Sequence, residues 1–128
     1  MIKLLLLMIL AHVVDDFVLQ VHILSTLKQK SWWEKNAPDK RYEDDYIAAL
    51  LAHSMSWSIM ILLPAMILYE NTPGWLLICA FFVNSAIHFF VDDAKANKKI
   101  LSLCQDQFIH LFQIIITWIT IVLTTIHA

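Results

Sequence analysis

Histidine and aspartate residues recur four positions apart in three hydrophobic segments of the chain. The three pairs are His12 and Asp16, His88 and Asp92, and, in the reverse order, Asp106 and His110. Residues four apart lie on the same face of an α-helix, so each pair presents an imidazole beside a carboxylate. Both groups are ligands of first-row metals such as zinc, manganese and iron. The spacing therefore predicts a metal site built from several helices.

A lone histidine in another hydrophobic segment, His53, completes the predicted ligand set. An ionisable side chain at the middle of a spanning helix costs roughly 2.5 to 3.5 kcal/mol, so these residues require a compensating interaction. We expect a divalent transition metal, zinc before manganese or iron, bound by members of this set: His12, Asp16, His53, His88, Asp92, Asp106 and His110. Three polar residues near the pairs are expected to support the ligands through hydrogen bonds: Gln20, Asn84 and Gln107.

Two other interpretations of the same residues stay open. Polar residues in membrane helices also form interhelical hydrogen bonds, and a network without metal would hold the helices together. A pathway for protons or ions would need polar groups through the full thickness of the membrane, whereas the outer half of the segments is almost wholly apolar. Conduction is therefore the least favoured of the three.

The segments that must position these residues are unusually hydrophobic. The chain has 128 residues, of which 59% are apolar and 16% charged, whereas soluble domains carry about 25% charged residues. This composition indicates an integral membrane protein. The net charge of −2 and the grouping of both signs in two short stretches exclude a basic surface for nucleic acid. Cys79 and Cys104 lie in or beside apolar runs, so we expect buried, unreactive thiols.

Four stretches approach the length of about 20 apolar residues that a bilayer core requires of a helix. They cover residues 2–27, 46–69, 75–94 and 100–126. The predicted fold is all-α, a four-helix transmembrane bundle with a polar His/Asp centre, forming a single domain over residues 1–128. The polar connection 28–45 contains Trp32 and Trp33, which suit a membrane interface. An amphipathic helix there is expected to end near Asn36, because Pro38 disfavours helix at the residue before it.

The positive charges predict the orientation of the segments. Eight of the nine lysines and arginines lie in connections 28–45 and 95–99, and only Lys3 lies elsewhere. The positive-inside rule places both connections in the cytoplasm and both termini outside. The expected location is the inner, cytoplasmic membrane, crossed several times. At 1.5 Å per residue, the His/Asp pairs then fall in the cytoplasmic half of the bilayer.

The two ends of the chain need separate interpretation. Met1 to Ala11 also has the shape of a signal peptide, since Lys3 precedes an apolar run. A spanning helix is favoured, because Ile9 stands where a cleavage site needs a small residue. His22 and His127 lie near predicted helix ends, which favours membrane-interface positions over metal binding.

Together these motifs resemble the domain of unknown function 3307 family, small membrane proteins of bacteria and their phages. The resemblance covers nearly the whole chain and is carried by the run from His12 to Gln20, by His53, by His88-x-x-x-Asp92 and by Asp106-Gln107-x-x-His110. Asp15 departs from the family, which commonly has glycine there. The resemblance implies a bacterial or phage membrane protein but no particular activity. A weaker likeness links the His-x-x-x-Asp spacing to membrane-bound metal-dependent hydrolases.

The residues favour metal-dependent hydrolysis of a lipid or another membrane-associated substrate. A bound metal activates water, Asp16 or Asp106 is expected to act as general base, and Lys95 to hold an anionic headgroup. The alternative is a non-enzymatic phage or bacterial membrane module with a structural polar centre and a cytoplasmic loop that binds a partner. Proton or metal-ion conduction is the third hypothesis. The expected partners are the lipid bilayer and a lipid or headgroup substrate, and the sequence is compatible with a homo-oligomer.

Overall fold

The computed structural model describes residues 1–20, 22–69 and 71–126, which are helical or lie in short connections. In chain order the elements are α1 (Ile2–Val14), a π-helical turn (Asp15–Leu19), α2 (His22–Leu27), α3 (Lys30–Asn36), a 3-10 turn (Lys40–Tyr42), α4 (Asp45–Leu68), α5 (Gly74–Ala96) and α6 (Leu103–Ile126). The prediction of an all-α fold is confirmed for these residues. His127, predicted to lie near a helix end, falls outside them.

Three helices of the described ranges are long and apolar enough to cross a membrane. These candidate spans are Lys40–Leu68, Gly74–Ala96 and Leu103–Thr125, and they indicate a multi-pass membrane protein. The N-terminal helix, formed by α1 and the π-helical turn, packs against α4 and α6. Because α5 in turn contacts both α4 and α6, the four long helices enclose a common interior.

The N-terminal helix is shorter than the continuous helix expected over residues 2–27. The backbone N–H of Gln20 donates to the Asp15 carbonyl oxygen at 2.8 Å, five residues back instead of four, and Gln20 itself leaves the helix. A π-helical turn accommodates one residue more than an α-helical turn. The adjacent side chains of Asp15 and Asp16 can therefore both turn inward, and both are buried.

The outer surface of the bundle is apolar, and much of its interior is polar. Phe82, Phe90 and Phe108 are among the exposed large side chains, as expected for a surface in contact with lipid. Cys79 and Cys104 are free and exposed on this surface, so the expectation of buried thiols is wrong. In a membrane bundle an apolar stretch of sequence includes the lipid-facing residues, and it does not identify which positions are buried.

The connections 28–45 and 95–99 lie at the same end of the bundle. The N–H of Lys30 donates to Asn97 Oδ1 at 2.7 Å, and Asn97 Nδ2 donates to the carbonyl oxygen of Lys28 at 3.1 Å. Helix α3 ends at Asn36, where the chain extends before Pro38, as predicted. The indole N–H of Trp33 ties α3 to α2 by donating to the Leu27 carbonyl oxygen at 2.8 Å.

Candidate functional site

The four long helices bring all seven predicted ligands into one buried cluster, which we call the His/Asp centre. The π-helical turn and α1 supply Asp16 and His12, α4 supplies His53, α5 supplies His88 and Asp92, and α6 supplies Asp106 and His110. The rings of His88 and His110 stack with their centroids 4.1 Å apart, and those of His53 and His88 are 4.9 Å apart. Helical spacing therefore predicted the convergence of these residues correctly.

Imidazole nitrogens and carboxylate oxygens in the His/Asp centre lie farther apart than hydrogen-bonded atoms. Five such pairs among Asp16, His53, His88, Asp92, Asp106 and His110 are separated by 3.3 to 3.8 Å, whereas N–H···O hydrogen bonds span about 2.7 to 3.2 Å. Ligand atoms about 2.0 to 2.2 Å from a tetrahedral zinc ion lie about 3.3 to 3.6 Å from one another. The separations thus match the edges of a coordination sphere better than a hydrogen-bond network.

The imidazoles of His88 and His110 carry the clearest unsatisfied atoms of the centre. Both side chains are 0% exposed, and within the described ranges neither ring nitrogen of either residue has a hydrogen-bond partner. One oxygen of Asp16 and one of Asp106 are likewise buried without a partner among those residues. Buried polar atoms are nearly always paired in proteins, so these four residues provide donor atoms that suit a cation.

Two overlapping groups of side chains have the geometry to hold an ion. The first consists of Asp16, His53 and His88, and the second of His88, Asp92 and His110. In each group one donor atom from every residue lies within 4.8 Å of the other two. His88 belongs to both groups and therefore lies at the middle of the centre.

His12 reaches the centre, but both of its ring nitrogens are occupied by hydrogen bonds. Trp57 Nε1–H donates to His12 Nδ1 at 2.8 Å, and His12 Nε2 lies 3.1 Å from Gln107 Oε1. The indole can only donate, so His12 is neutral with its proton on Nε2. This geometry does not leave His12 free as the metal ligand that its sequence position predicts. Its Nε2–H instead donates a hydrogen bond to Gln107 Oε1.

Gln107 holds the two carboxylates that the sequence nominates as general bases. Its Nε2 donates to Asp16 Oδ2 at 3.0 Å and to Asp106 Oδ2 at 3.2 Å. In both aspartates the other oxygen, Oδ1, is the buried atom without a partner among the described residues. Trp57, His12 and Gln107 thus form a chain of directed hydrogen bonds that turns one oxygen of each carboxylate toward the imidazoles.

Asp15, whose role the sequence left open, contacts His53. Its Oδ1 accepts a hydrogen bond from Ser56 Oγ at 2.7 Å, and its Oδ2 lies 3.5 Å from His53 Nδ1. On the other side of the ring, His53 Nε2 lies 3.5 Å from Asp16 Oδ1. A carboxylate at one imidazole nitrogen commonly orients the other nitrogen toward a metal. The π-helical turn that places Asp15 here has no signal in the hydrophobic pattern.

Two lysines at the end of the bundle that carries connections 28–45 and 95–99 enter the centre, and only one of them was expected there. Lys28 Nζ contacts Asp92 Oδ2, and Lys28 is buried. Lys95 Nζ lies 2.5 Å from Asp106 Oδ2 and 3.8 Å from Asp92 Oδ1, with its side chain 28% exposed. From the sequence we placed Lys28 in the polar connection 28–45. No sequence pattern at this position indicates that its side chain is buried.

The formal charge of the centre leaves room for a cation. It contains the carboxylates of Asp15, Asp16, Asp92 and Asp106 and the ammonium groups of Lys28 and Lys95. With neutral imidazoles these groups sum to −2. Uncompensated buried charge is strongly unfavourable, and one divalent ion would bring the sum to zero.

Of the other two residues predicted to support the ligands, Gln20 lies at the centre and Asn84 does not. With its amide nitrogen toward the Asp16 carbonyl oxygen at 3.0 Å, Gln20 turns its amide oxygen to Lys28 Nζ. Asn84 bonds instead to Thr117 at 3.0 Å and to Gln113 at 2.8 Å in a separate buried cluster. The interior of that half of the bundle is therefore more polar than the sequence indicated.

Comparisons with known proteins identify a family and no characterised relative. A family model described as a protein of unknown function (DUF3307) matches residues 4–128. No curated protein and no solved structure shows significant similarity to the chain.

Proposed function

The chain belongs to the DUF3307 family, and we propose that it is a metal-dependent hydrolase acting on a lipid or another membrane-associated substrate. The observation that carries the proposal is the pair of fully buried imidazoles, His88 and His110, whose nitrogens lack hydrogen-bond partners in the described part of the chain. They face carboxylate oxygens at 3.3 to 3.8 Å. A divalent transition metal, zinc in the first place, fits this donor set and the charge of −2.

The arrangement of Asp106 suits the role of general base. When bound, a divalent ion lowers the pKa of water and polarises the bond to be hydrolysed. Asp106 Oδ2 is fixed by Lys95 at 2.5 Å and by Gln107 at 3.2 Å, so Oδ1 is oriented and available to accept a proton from water. Asp16 is held in the same way by Gln107 and provides the second candidate.

The substrate would enter from the end of the bundle that carries the lysine-rich connections. Among the charged side chains of the centre, Lys95 is the most exposed. The Lys95 ammonium group would attract an anionic headgroup. It would then contact both the headgroup and Asp106. We place this end in the cytoplasm and both termini outside, with the N-terminal helix as a fourth span of a transmembrane bundle in the inner membrane. In this orientation the candidate general bases, Asp106 and Asp16, lie in the half of the bundle that faces the headgroups of the cytoplasmic leaflet.

Hydrolysis can be tested with the full chain in detergent, loaded with zinc. The probes are vesicles of phosphatidic acid, assayed for released phosphate, and vesicles of phosphatidylcholine, assayed for released fatty acid. We expect zinc-dependent release from one probe, slowed at least about 100-fold by Asp106→Asn, which removes the base. His88→Ala should lose the metal. Asp93→Asn is the matched control, because Asp93 pairs with Lys98 at 2.9 Å and not with the centre.

Two results would contradict the proposal. Wild-type protein that binds no stoichiometric zinc excludes metal-dependent chemistry. A metal-bound Asp106→Asn variant as active as wild type would exclude the assigned base.

A structural role is the second candidate function, and a specific observation favours it. Trp57 on α4, His12 on α1 and Gln107 on α6 form a continuous hydrogen-bonded chain, and Lys28 ties the first connection to Asp92 on α5. Such contacts alone would hold the helices together in a non-enzymatic membrane module whose cytoplasmic connection binds a partner. This account is preferred if purified wild type is folded and stable without metal.

A further inference from the structure

We infer that the His/Asp centre holds two divalent metal ions, and this inference rests on the proposed metal-dependent function. The first position is formed by Asp16 and His53 and the second by Asp92 and His110, and His88, which belongs to both candidate groups, can ligate one ion of the pair. Together the two groups contain five residues, whereas one tetrahedral ion takes about four ligands and a catalytic one about three from protein. The donor set therefore exceeds the needs of one ion.

The orientation of Asp92 supports a second ion. Its Oδ2 lies 3.6 Å from His53 Nε2 and 3.8 Å from His88 Nε2, while its Oδ1 lies 3.6 Å from His110 Nε2. The two oxygens of one carboxylate thus face imidazoles of different groups. A carboxylate in this position can bridge two ions, which in two-metal sites lie about 3.5 to 4 Å apart.

The second position lies beside the proposed general base. Asp106 Oδ1, a buried atom without a partner among the residues described, lies 3.3 Å from His110 Nε2. The second position also lies beside Lys95, which is the most exposed of the charged residues in the centre. The ion at the second position is therefore close to the general base and to the exposed end of the centre, whereas the first position is more enclosed.

The charge balance of a two-ion centre indicates the class of substrate. Four carboxylates and two lysines sum to −2, so two divalent ions leave a charge of +2. An anion such as a phosphate group compensates this charge, and pairs of ions are typical of enzymes that act on phosphate esters. A phosphorylated membrane component is therefore the substrate class that a two-ion centre favours.

The number of ions can be measured on the full chain in detergent, stripped with a chelator and titrated with Mn²⁺ in the presence of inorganic phosphate. We expect two ions per chain and the exchange-coupled electron paramagnetic resonance signal of neighbouring Mn²⁺ ions. His53→Gln and His110→Gln each remove a ligand from one position only, so each should bind a single ion with an uncoupled spectrum. His88→Ala removes a ligand from one position and should likewise leave a single ion. Asp93→Asn, the control outside the centre, should keep two coupled ions.

The outcomes separate this inference from the proposed function. One ion per chain in wild type, lost in both histidine-to-glutamine variants, refutes the second position and leaves the metal-dependent function standing. Two ions that persist in both variants refute the assigned ligands. Binding of no ion refutes the inference and the proposed function together. If a histidine variant fails to give folded protein, as judged by circular dichroism and size exclusion, Asp16→Asn repeats the test at the first position. Asp92→Asn, which removes the bridging carboxylate, should then abolish the coupling between the two ions.

Discussion

Replacing Gln107 with leucine should weaken metal binding without touching a proposed ligand. The side chain accepts from His12 at 3.1 Å and donates to Asp16 at 3.0 Å and to Asp106 at 3.2 Å. Gln107→Leu keeps a similar volume and removes all three hydrogen bonds. Both carboxylates then lose the contact that turns Oδ1 toward the imidazoles.

Two magnitudes follow from these contacts. Loss of a hydrogen bond that orients a ligand typically costs 10- to 100-fold in metal affinity, or about 1.4 to 2.7 kcal/mol. Interhelical hydrogen bonds in membranes average about 0.6 kcal/mol each, so the two to His12 and Asp16 contribute about 1 kcal/mol to the stability of the metal-free protein. We expect both losses in Gln107→Leu.

Affinity is measured by competition between the purified protein and a zinc chelator of known affinity, and stability by unfolding of the metal-free protein in a denaturing detergent. Gln105→Leu is the matched control for zinc affinity, because Gln105 is exposed and lies two residues away. Among the described residues, its amide oxygen accepts a hydrogen bond from the Ser102 N–H at the start of α6 and from no residue of the centre. Gln107→Leu protein that binds zinc as tightly as wild type would refute the idea that this amide orients the carboxylates.

Three further predictions test the orientation, the buried lysine and the carboxylate behind His53. In a chain without its native cysteines, Lys35→Cys and Asn71→Cys should react with a membrane-impermeant reagent from opposite sides of intact membranes, and labelling from one side would refute the topology. Lys28→Met removes the buried ammonium group that contacts Asp92 Oδ2 and leaves Lys95, at 3.8 Å, as the lysine nearest to this carboxylate. It should destabilise the metal-free protein by about 3 kcal/mol; unchanged unfolding in detergent would contradict the burial of this pair. Asp15→Asn should lower zinc affinity about tenfold in the chelator assay, because it weakens the contact that orients the His53 imidazole. Unaltered affinity would show that Asp15 does not support the metal site.

Much of the candidate site was predictable because helical periodicity and depth are local properties of the sequence. His88 and Asp92 are one turn apart on α5, and Asp106 and His110 are one turn apart on α6. In a helix this spacing places each pair on one face, and the lysines at the helix ends indicate its depth. The polar face of a membrane helix must turn inward, so convergence of the pairs followed from the sequence.

The features that were missed depend on tertiary contacts. The π-helical turn at Asp15–Leu19 changes the face on which Asp15 lies, and it is visible only through the hydrogen bond from the Gln20 N–H to the Asp15 carbonyl oxygen. Burial of Lys28 requires α2 to fold back over the centre until its ammonium meets Asp92. His12 has the spacing of a ligand, yet Trp57 occupies its Nδ1 from another helix.

The exposed cysteines show a further limit of composition as a guide to burial. Apolar neighbours suggested that Cys79 and Cys104 are buried, whereas both lie on the outer surface. The rule that apolar residues are buried applies to proteins in water. In a bilayer the lipid-facing surface is as apolar as a protein core, and here the buried side of the helices carries the polar residues.

The most direct test of the metal centre is X-ray absorption at the zinc edge on the zinc-loaded full chain in detergent. The proposed centre predicts stoichiometric zinc with nitrogen and oxygen ligands at about 2.0 to 2.2 Å, and with the additional scattering of at least two imidazoles. A sulfur ligand at about 2.3 Å would instead place the ion on Cys79 or Cys104. That result, or protein that binds no stoichiometric zinc, would contradict a metal site built from His88, His110 and the carboxylates around them.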